Sequence, residues 1–334
     1  MIKLAIDMGT SVTKIYRADT NSGIVLAEPS CVAIAGETVK AIGKDAKNLV
    51  GKTAEMTTIV YPVYEGGIAN AALAVTMLKT FLDRIDVKGF ARKQAHVLVC
   101  VPCGIPDDAL SEYAEVIEEC GIKNVWFVEQ PYLCALGAGA ALSDADPVFC
   151  LDVGGGISNA AVVSGDGIIS GIALNVGGNN MDANITAKIA KLNKLHVGAL
   201  TAERIKNEIG TLAPDPRGTM VAEGSSTETC HPAATSVRAI DLTDCIRVYV
   251  DKVAEYAMDV LRNLPAEVAA TVNRNGVYLS GGLMKIPYLP QYIAAKLNMR
   301  FHVGEEPQFT AVLGGGALLR DVGALNRYAR VLED

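Results

Sequence analysis

One pattern occurs twice in this chain, 145 residues apart, and it constrains the fold more than any other feature. An apolar run ends in an aspartate, a glycine-rich turn follows, and a second apolar run continues the chain. The first copy is Asp7-Met-Gly9-Thr10-Ser11, and the second is Asp152-Val-Gly154-Gly155-Gly156. This repetition predicts two related lobes, each presenting one Asp–Gly hairpin. The 334 residues leave room for about two domains.

Each hairpin contains the residue types of a phosphate-binding turn. Backbone N–H groups of a turn rich in glycine, threonine and serine converge on one concavity, which suits phosphate oxygens. The strand-end carboxylates, Asp7 and Asp152, suit the water shell of a hydrated Mg²⁺, and Lys14 is close enough to Asp7 to offset phosphate charge. Each hairpin alone is ordinary turn chemistry, and no GxxxxGK[ST] motif occurs. The two hairpins occur together with a third glycine cluster at Ser280-Gly281-Gly282, and ordinary turns do not readily explain this combination.

Composition excludes several classes of protein. Half of the residues are apolar and one-fifth are charged, which indicates a packed core and not a disordered chain. The net charge of −7 argues against a broad nucleic-acid surface, so we expect no direct nucleic-acid partner. The longest stretch without charge, Gly167–Met181, is shorter than the roughly twenty residues of a membrane-spanning helix. The N-terminus enters a strand pattern at once, so we expect no signal peptide and a cytoplasmic location.

The cysteines and histidines do not indicate a metal or redox site. Most of the eight cysteines stand in apolar runs, so we expect reduced core residues. Cys100-Val-Pro-Cys103 has CxxC spacing, but no second Cys or His pair stands at ligand spacing. The four histidines are scattered and are assigned structural or surface roles.

Apolar runs and helical periodicities alternate, which indicates an α/β fold. Predicted strands are Lys3–Asp7, Thr13–Arg17, His96–Val101, Val125–Val128, Val148–Asp152 and Gly276–Leu279. Predicted helices follow the Asn70 cap and cover Asp107–Cys120, Pro131–Leu142, Asn180–Leu192, Thr243–Leu264 and Phe309–Arg320, with a turn at Leu195–Leu200. We divide the chain into a lobe I core (1–28, 70–148 and 319–334) with an insertion at 29–69, and a lobe II core (149–178 and 242–318) with an insertion at 179–241.

Five segments resemble, in the same order, the signatures of the actin, sugar-kinase and DnaK-chaperone ATPase superfamily. They are Ile6–Lys14 (first phosphate loop), Val128–Gly137 (first connecting helix), Leu151–Gly156 (second phosphate loop), Leu279–Met284 (adenosine loop) and Leu313–Ala317 (second connecting helix). Within this superfamily the chain is most similar to the MreB family of bacterial actins, over nearly its whole length. The supporting stretches are Gly23–Ser30, Ala41–Lys47, Val101–Pro106, Thr201–Gly210 and Glu305–Val312.

The resemblance implies a two-lobed actin-like ATPase fold, with ATP or ADP and Mg²⁺ in the cleft between the lobes. It makes Asp7, Glu129, Gln130 and Asp152 the candidate catalytic residues. Gln130, helped by Glu129, would position the hydrolytic water, and the two aspartates would hold Mg²⁺ through water. The implied phosphate contacts are Gly9, Thr10, Ser11, Lys14, Gly154, Gly155 and Gly156. The implied nucleoside contacts are Gly178, Glu203, Lys206, Gly281, Gly282 and Met284.

The resemblance also implies homopolymeric filaments that organise cell shape or wall synthesis. The expected partners are further copies of the chain, together with membrane-associated cell-shape proteins or cargo adaptors. The expected location is the cytoplasm, including the inner face of the cell membrane. Direct membrane contact is expected to be weak, because the candidate loop Asp86–Lys93 offers one phenylalanine beside three basic residues.

Two positions depart from the MreB pattern and keep alternatives open. MreB usually has two glutamates before the proline of the connecting helix, whereas this chain has Glu129 and Gln130. A glutamine orients a water but does not deprotonate it. Glutamine at this position is what eukaryotic actin uses, and Lys14 is likewise actin- or ParM-like and not typical of MreB. A plasmid- or organelle-positioning actin, which shares this chemistry but differs in cargo, is the first alternative. A DnaK-type chaperone would need a substrate-binding domain, and a sugar kinase a catalytic carboxylate at a sugar pocket. Glu203 and Lys206, one helical turn apart, also fit a simple exposed ion pair.

Overall fold

The computed structural model describes residues 1–52, 57–143 and 145–330 of the chain. Its strands are β1 (Lys3–Met8), β2 (Val12–Arg17), β3 (Gly23–Pro29), β4 (Val32–Ala35), β5 (Thr38–Ile42), β6 (Thr57–Val60), β7 (Val63–Tyr64), β8 (Gly67–Ile68), β9 (His96–Val101), β10 (Asn124–Glu129), β11 (Val148–Val153), β12 (Ser158–Ser164), β13 (Gly167–Leu174), β14 (Leu195–His196), β15 (Thr219–Ser226), β16 (Pro232–Arg238), β17 (Val277–Ser280) and β18 (Phe301–Val303). Its helices are α1 (Lys44–Lys47), α2 (Ala71–Arg84), α3 (Phe90–Gln94), α4 (Asp107–Glu119), α5 (Gln130–Gly137), α6 (Gly178–Asn193), α7 (Ala199–Ile209), α8 (Ala239–Arg262), α9 (Ala266–Asn275), α10 (Leu289–Leu297), α11 (Thr310–Leu318) and α12 (Val322–Tyr328).

Two five-stranded sheets have the same topology. The first has the order β10-β9-β1-β2-β3, and the second, read from the matching edge, has the order β18-β17-β11-β12-β13. In each sheet the hairpin strands pair antiparallel, and the two strands on the other side of the central strand run parallel to it. The two lobes therefore correspond strand for strand, as the repeated sequence pattern predicts.

Along the chain, a small three-stranded sheet follows the antiparallel edge strand of each five-stranded sheet. The first has the order β5-β4-β6, and the second has the order β14-β15-β16. They lie within the predicted insertions 29–69 and 179–241, although residues 53–56 of the first are outside the described residues. The predicted turn at Leu195–Leu200 was wrong in detail, because it contains β14 and the start of α7. The boundaries assigned to the four parts remain a prediction.

The central strands are apolar because helices cover both of their faces. Leu4, Ala5 and Ile6 of β1 are fully buried, and so is nearly all of β11. Helix α2 begins at an N-cap, where the Asn70 side chain accepts a hydrogen bond from the backbone N–H of Leu73 at 3.0 Å. The burial of β1 and β11 fixes their carboxyl ends, where the repeated pattern of aspartate and glycine begins in each lobe's hairpin.

The two connecting helices, α5 and α11, cross at their glycines. A Cβ on Gly137 would collide with the carbonyl oxygen of Thr310, and one on Gly314 would collide with that of Leu133. The helices therefore pack backbone against backbone. Helix α5 is shorter than the predicted span Pro131–Leu142, because Gly139 adopts a φ of +83° that ends the helix.

We expect Gly314→Ala to destabilise the protein by about 2–3 kcal/mol, because the added methyl group has no space at the crossing. Urea denaturation followed by circular dichroism measures this loss. Gly304→Ala is the matched control, because no heavy atom lies within 4 Å of its added Cβ. Equal denaturation midpoints for the two variants would contradict the close crossing.

Candidate functional site

The two hairpins present their strand-end aspartates in the same register. Asp7 on β1 pairs with Lys14 on β2, and Asp152 on β11 pairs with Asn159 on β12. Both carboxylates are buried, with exposures of 4% and 8%. Each lobe therefore contributes one buried acid and, opposite it, one side chain that carries nitrogen.

Two adjoining cavities between the lobes contain most of the sequence-selected residues. The first, of about 410 Å³, is lined by residues of both hairpins, Gln130 and the third glycine cluster: Asp7, Gly9, Thr10, Ser11, Lys14, Gln130, Asp152, Gly154, Gly155, Gly156, Gly281 and Gly282. The second, of about 360 Å³, is lined by Gly178, Glu203 and Lys206 and shares Ser11, Gly154, Gly155 and Gly282 with the first. The structure thus brings together all of the sequence-selected residues except Glu129 and Met284.

The two exceptions face elsewhere. Glu129 accepts hydrogen bonds from Arg330 Nη1 at 3.0 Å and from the backbone N–H of Gly104 at 2.9 Å, so both carboxylate oxygens are engaged. It lines a different cavity, beside Tyr328 and Arg330. Met284 lies in a short 3₁₀ turn and packs into the hydrophobic core of lobe II, while Lys285 lines both cavities.

A side chain at several of the glycines would crowd the cavity walls. A Cβ on Gly156 would lie 2.7 Å from Thr10 Oγ1, and a Cβ on Gly155 would collide with Ser11 Oγ. On the other side, a Cβ on Gly178 would lie 2.9 Å from Lys206 Nζ. The missing side chains leave backbone exposed to the cavities, which is how a backbone approaches a ligand closely.

Polar side chains hold each of the two acids of the first cavity. Lys14 Nζ donates to Asp7 Oδ2 at 2.6 Å, and Gln130 Nε2 donates to Asp7 Oδ1 at 3.1 Å. In lobe II, Ser280 Oγ donates to Asp152 Oδ1 at 2.8 Å. Asp7 is therefore fully engaged on the protein side, whereas Asp152 has no cation in direct contact among its described hydrogen bonds.

The pKa values of Lys14 and Asp152 are both raised, for different reasons. Burial works against the charged ammonium of Lys14, but the Asp7 carboxylate outweighs it and raises the pKa of Lys14, which stays charged. Burial, with a contribution from the nearby Asp7 charge, raises the pKa of Asp152. A positive charge added beside Asp152 would stabilise its ionised form.

The site residues fit a phosphate ligand with a hydrated cation. The hydroxyl oxygen of Thr10 is buried in the cavity wall without a hydrogen-bond partner, so a ligand atom or water there would satisfy it. Within the part of the chain that the structure describes, no three His, Cys, Asp or Glu side chains converge as a direct metal site. The two strand-end aspartates are the acidic groups available at this cavity.

Glu203 and Lys206, which both line the second cavity, each belong to an ion pair. Glu203 pairs with Lys47 of the lobe I insertion at 2.7 Å, and Lys206 pairs with Asp182 of α6 at 2.8 Å. Lys206 also donates to the carbonyl oxygen of Gly178 at 3.1 Å. The predicted alternative of an exposed Glu203–Lys206 pair was therefore wrong, because each side chain has an opposite charge on another element and Lys206 is buried.

The cysteine expectation is confirmed with one exception, because only Cys230 of the eight is exposed. Burial raises the pKa of Cys103 to about 12 and that of Cys100 well above its usual range, so both thiols stay protonated and unreactive.

No helix in the described ranges has the length and apolar character needed to cross a membrane.

Sequence reasoning missed one residue that contacts Gln130. Asn159 stands in a largely apolar strand segment of the sequence, and in the structure it is fully buried and donates from Nδ2 to Gln130 Oε1 at 2.9 Å. A signal for it was present: Asn159 stands seven residues after Asp152, as Lys14 stands seven residues after Asp7. Asn179 and Asp182, which line the second cavity, had no comparable signal.

Two lobes of equal topology with facing Asp–Gly hairpins and a cleft between them form the two-lobed fold of the actin-like superfamily. Solved structures agree with this fold. MreB 5 of Spiroplasma citri bound to AMPPNP superposes with a TM-score of 0.90 at 25% identity and covers 96% of each chain. The MamK double helical filament gives a TM-score of 0.76 at 17% identity over 96% of this chain and 99% of that chain, which shows the fold alone.

Sequence comparison gives the family. Residues 1–327 match the family described as MreB/Mbl protein. The cell shape-determining protein MreB of Escherichia coli strain K12 is 31% identical over 329 residues, which cover 95% of this chain and 92% of that protein. The cell shape-determining protein Mbl of Bacillus cereus is 30% identical over 329 residues, 98% of each chain. The chain belongs to the MreB/Mbl family.

Proposed function

We propose that this protein binds ATP with Mg²⁺ in the cleft between its lobes, hydrolyses it and assembles into filaments. The observation that carries the proposal is the facing pair of hairpins with Gln130 hydrogen-bonded to Asp7 at the end of the same cavity. The related structure of MreB 5 bound to AMPPNP, and a second one bound to ADP at a TM-score of 0.89, support nucleotide as the ligand.

The phosphates are assigned to the first cavity. Backbone N–H groups of Gly9, Thr10 and Ser11, and of Gly155 and Gly156, hold the β- and γ-phosphates, and the orphan hydroxyl of Thr10 gains a partner. The N–H of Gly154 instead closes its own hairpin by donating to the carbonyl oxygen of Ile157 at 2.9 Å. Lys14 offsets the phosphate charge. Asp7 and Asp152 hold Mg²⁺ through water, and when bound this ion neutralises charge on the phosphate oxygens.

The nucleoside is assigned to the second cavity. Gly178 and Gly282 line this cavity and leave room for the base and ribose, while Gly281 lines the adjoining first cavity. Glu203 and Lys206 supply polar contacts. Met284 supports the adenosine turn from the core side instead of touching the ligand.

Hydrolysis requires a water in line with the γ-phosphorus, and we assign its placement to Gln130. The water oxygen forms a bond to phosphorus while the bond to the bridging oxygen breaks, and ADP leaves with that electron pair. The amide orients the water but takes no proton, so the proton passes to a phosphate oxygen or to solvent. Glu129, held by Arg330 and Gly104, supports the start of α5 and does not face this water.

We expect assembly to depend on nucleotide. The purified protein should sediment with Mg-ATP above a critical concentration and remain small without nucleotide, because head-to-tail contacts between identical subunits generate open filaments. Pelleting, light scattering and electron microscopy measure this. Protein that stays monomeric by analytical ultracentrifugation at every salt, temperature and nucleotide condition would contradict it.

The cellular role we propose is organisation of cell shape or wall synthesis, through membrane-associated partner proteins at the inner face of the membrane. The MreB and Mbl relatives are cell shape-determining proteins, which supports this role. A plasmid- or organelle-positioning filament shares the same site chemistry, and Gln130 and Lys14 are the residues that favour it. Fluorescence microscopy of the labelled protein distinguishes the two by whether filaments follow the cell envelope or the cargo.

A further inference from the structure

A buried amide of lobe II holds the side chain of Gln130. Asn159 Nδ2 donates to Gln130 Oε1 at 2.9 Å, and Asn159 Oδ1 accepts from the backbone N–H of Cys103 at 3.0 Å. Asn159 lies on β12 and is fully buried, whereas both of its partners belong to lobe I. These two hydrogen bonds therefore cross from one lobe to the other.

The polarity of the hydrogen bonds fixes the direction of both amides. The N–H of Cys103 only donates, so it selects the oxygen of Asn159 and turns Nδ2 towards Gln130. Nδ2 selects the oxygen of Gln130, which leaves Nε2 for the Asp7 carboxylate at 3.1 Å. An ionised carboxylate only accepts, so the order of donors and acceptors is consistent in this direction alone.

We propose that Asn159 is a positioning residue for the hydrolysis assigned to Gln130, an inference that rests on the proposed function. With one lone pair of Oε1 and one hydrogen of Nε2 engaged, Gln130 keeps one acceptor site and one N–H for water. The terminal torsion of a glutamine is broad and roughly two-fold. Without Asn159 the amide would turn, and the water would be held correctly for only part of the time.

The placement of Asn159 connects lobe position to this alignment. Asn159 occupies in lobe II the register position that Lys14 occupies in lobe I, opposite the strand-end aspartate. Because Asn159 and Gln130 belong to different lobes, a displacement of one lobe against the other at this point would lengthen or break their hydrogen bond. The alignment of Gln130 therefore depends on the relative position of the two lobes here.

Asn159→Ala and Asn159→Leu test the proposal, and the leucine keeps the branched shape without hydrogen bonds. We expect single-turnover phosphate release to slow roughly 10- to 100-fold, with the Kd for Mg-ATP unchanged by calorimetry. In nucleotide-free protein, the Cys103 amide should exchange hydrogen faster, because it loses its acceptor. Ser164→Ala is the matched control: it removes another buried polar group of β12, whose hydroxyl donates to the Gly167 carbonyl. It should change neither measurement.

A double-mutant cycle separates positioning from a general structural role. In a Gln130→Ala background, Asn159→Leu should slow phosphate release no further, because residues that act through one another are not additive. Equal slowing in both backgrounds, or wild-type release by both Asn159 variants, would overturn the inference while leaving the proposed function standing. A wild-type protein that binds Mg-ATP without hydrolysing it would overturn the proposed function, and this inference with it.

Discussion

Replacement of Gln130 by alanine is expected to slow single-turnover phosphate release by roughly 100-fold. The side chain lies in the wall of the first cavity and is held between Asp7 and Asn159, so its loss removes the group that orients the water. The Kd for ATP should change little, because backbone groups of the hairpins carry the phosphate contacts. Filaments in the ATP state should consequently last longer, which turbidity decay after nucleotide addition measures.

Glu129→Ala is the matched comparison, because it removes the neighbouring polar side chain. Its carboxylate connects Arg330 and Gly104, so we expect a lower melting temperature and a smaller loss of hydrolysis than in Gln130→Ala. The reverse result, wild-type phosphate release by Gln130→Ala with turnover abolished in Glu129→Ala, would assign the water to Glu129.

Asp152→Asn is expected to lower the Mg-dependent affinity for ATP by roughly 10- to 100-fold, the scale seen when a group that supports a metal through its outer shell is removed. Asparagine keeps the size of the side chain and its capacity to accept from Ser280, but it lacks the negative charge that favours the cation. Calorimetric titration with ATP in the presence of Mg²⁺ and of EDTA measures the change. Equal Mg-dependent affinity in variant and wild type would contradict the assignment.

The same substitution should stabilise the nucleotide-free protein. Burial, with a contribution from Asp7, raises the pKa of Asp152 in the folded state. Ionisation of this carboxyl therefore costs stability as the pH rises above its ordinary pKa in the unfolded chain. We expect Asp152→Asn to melt at a higher temperature at neutral pH, and the difference to disappear below about pH 4.

Asp146→Asn is a control for this effect with the opposite sign. Hydrogen bonds from Asn275 and Arg274 hold the pKa of this exposed carboxyl below its ordinary value. Its removal should not raise the melting temperature, and it should leave Mg-ATP affinity unchanged. If Asp152→Asn instead melts at a lower temperature than the wild type at neutral pH, the prediction is wrong, because other groups of the protein then compensate the buried charge of Asp152.

The parts of the fold that depend on local pattern were predictable. A strand that ends in aspartate and glycine needs only its own residues to form a hairpin, so both copies appear in the predicted places. The repetition then predicts equal topology for the lobes, because similar local segments form similar sheets. The apolar periodicity after Asn70 likewise gives α2 with its cap.

The directions of individual polar side chains were less accessible, since they depend on remote partners. Glu129 ends a strand and Gln130 begins a helix, and successive side chains of an extended segment point to opposite sides. The two neighbours therefore face different cavities, which their adjacency in sequence conceals. Glu203 pairs with Lys47, 156 residues away, and no spacing within its own helix indicates that partner.

The crossing of α5 and α11 at their glycines has a mechanical consequence. Where a layer of side chains separates two helices, rotamer changes allow one helix to slide past the other. At Gly137 and Gly314 no such layer exists, because the backbones are in contact. We expect the helices to turn about this point without sliding, so that the crossing is a pivot. Motion between the lobes is then a rotation about one fixed point, and the parts of the cleft most distant from it move the most.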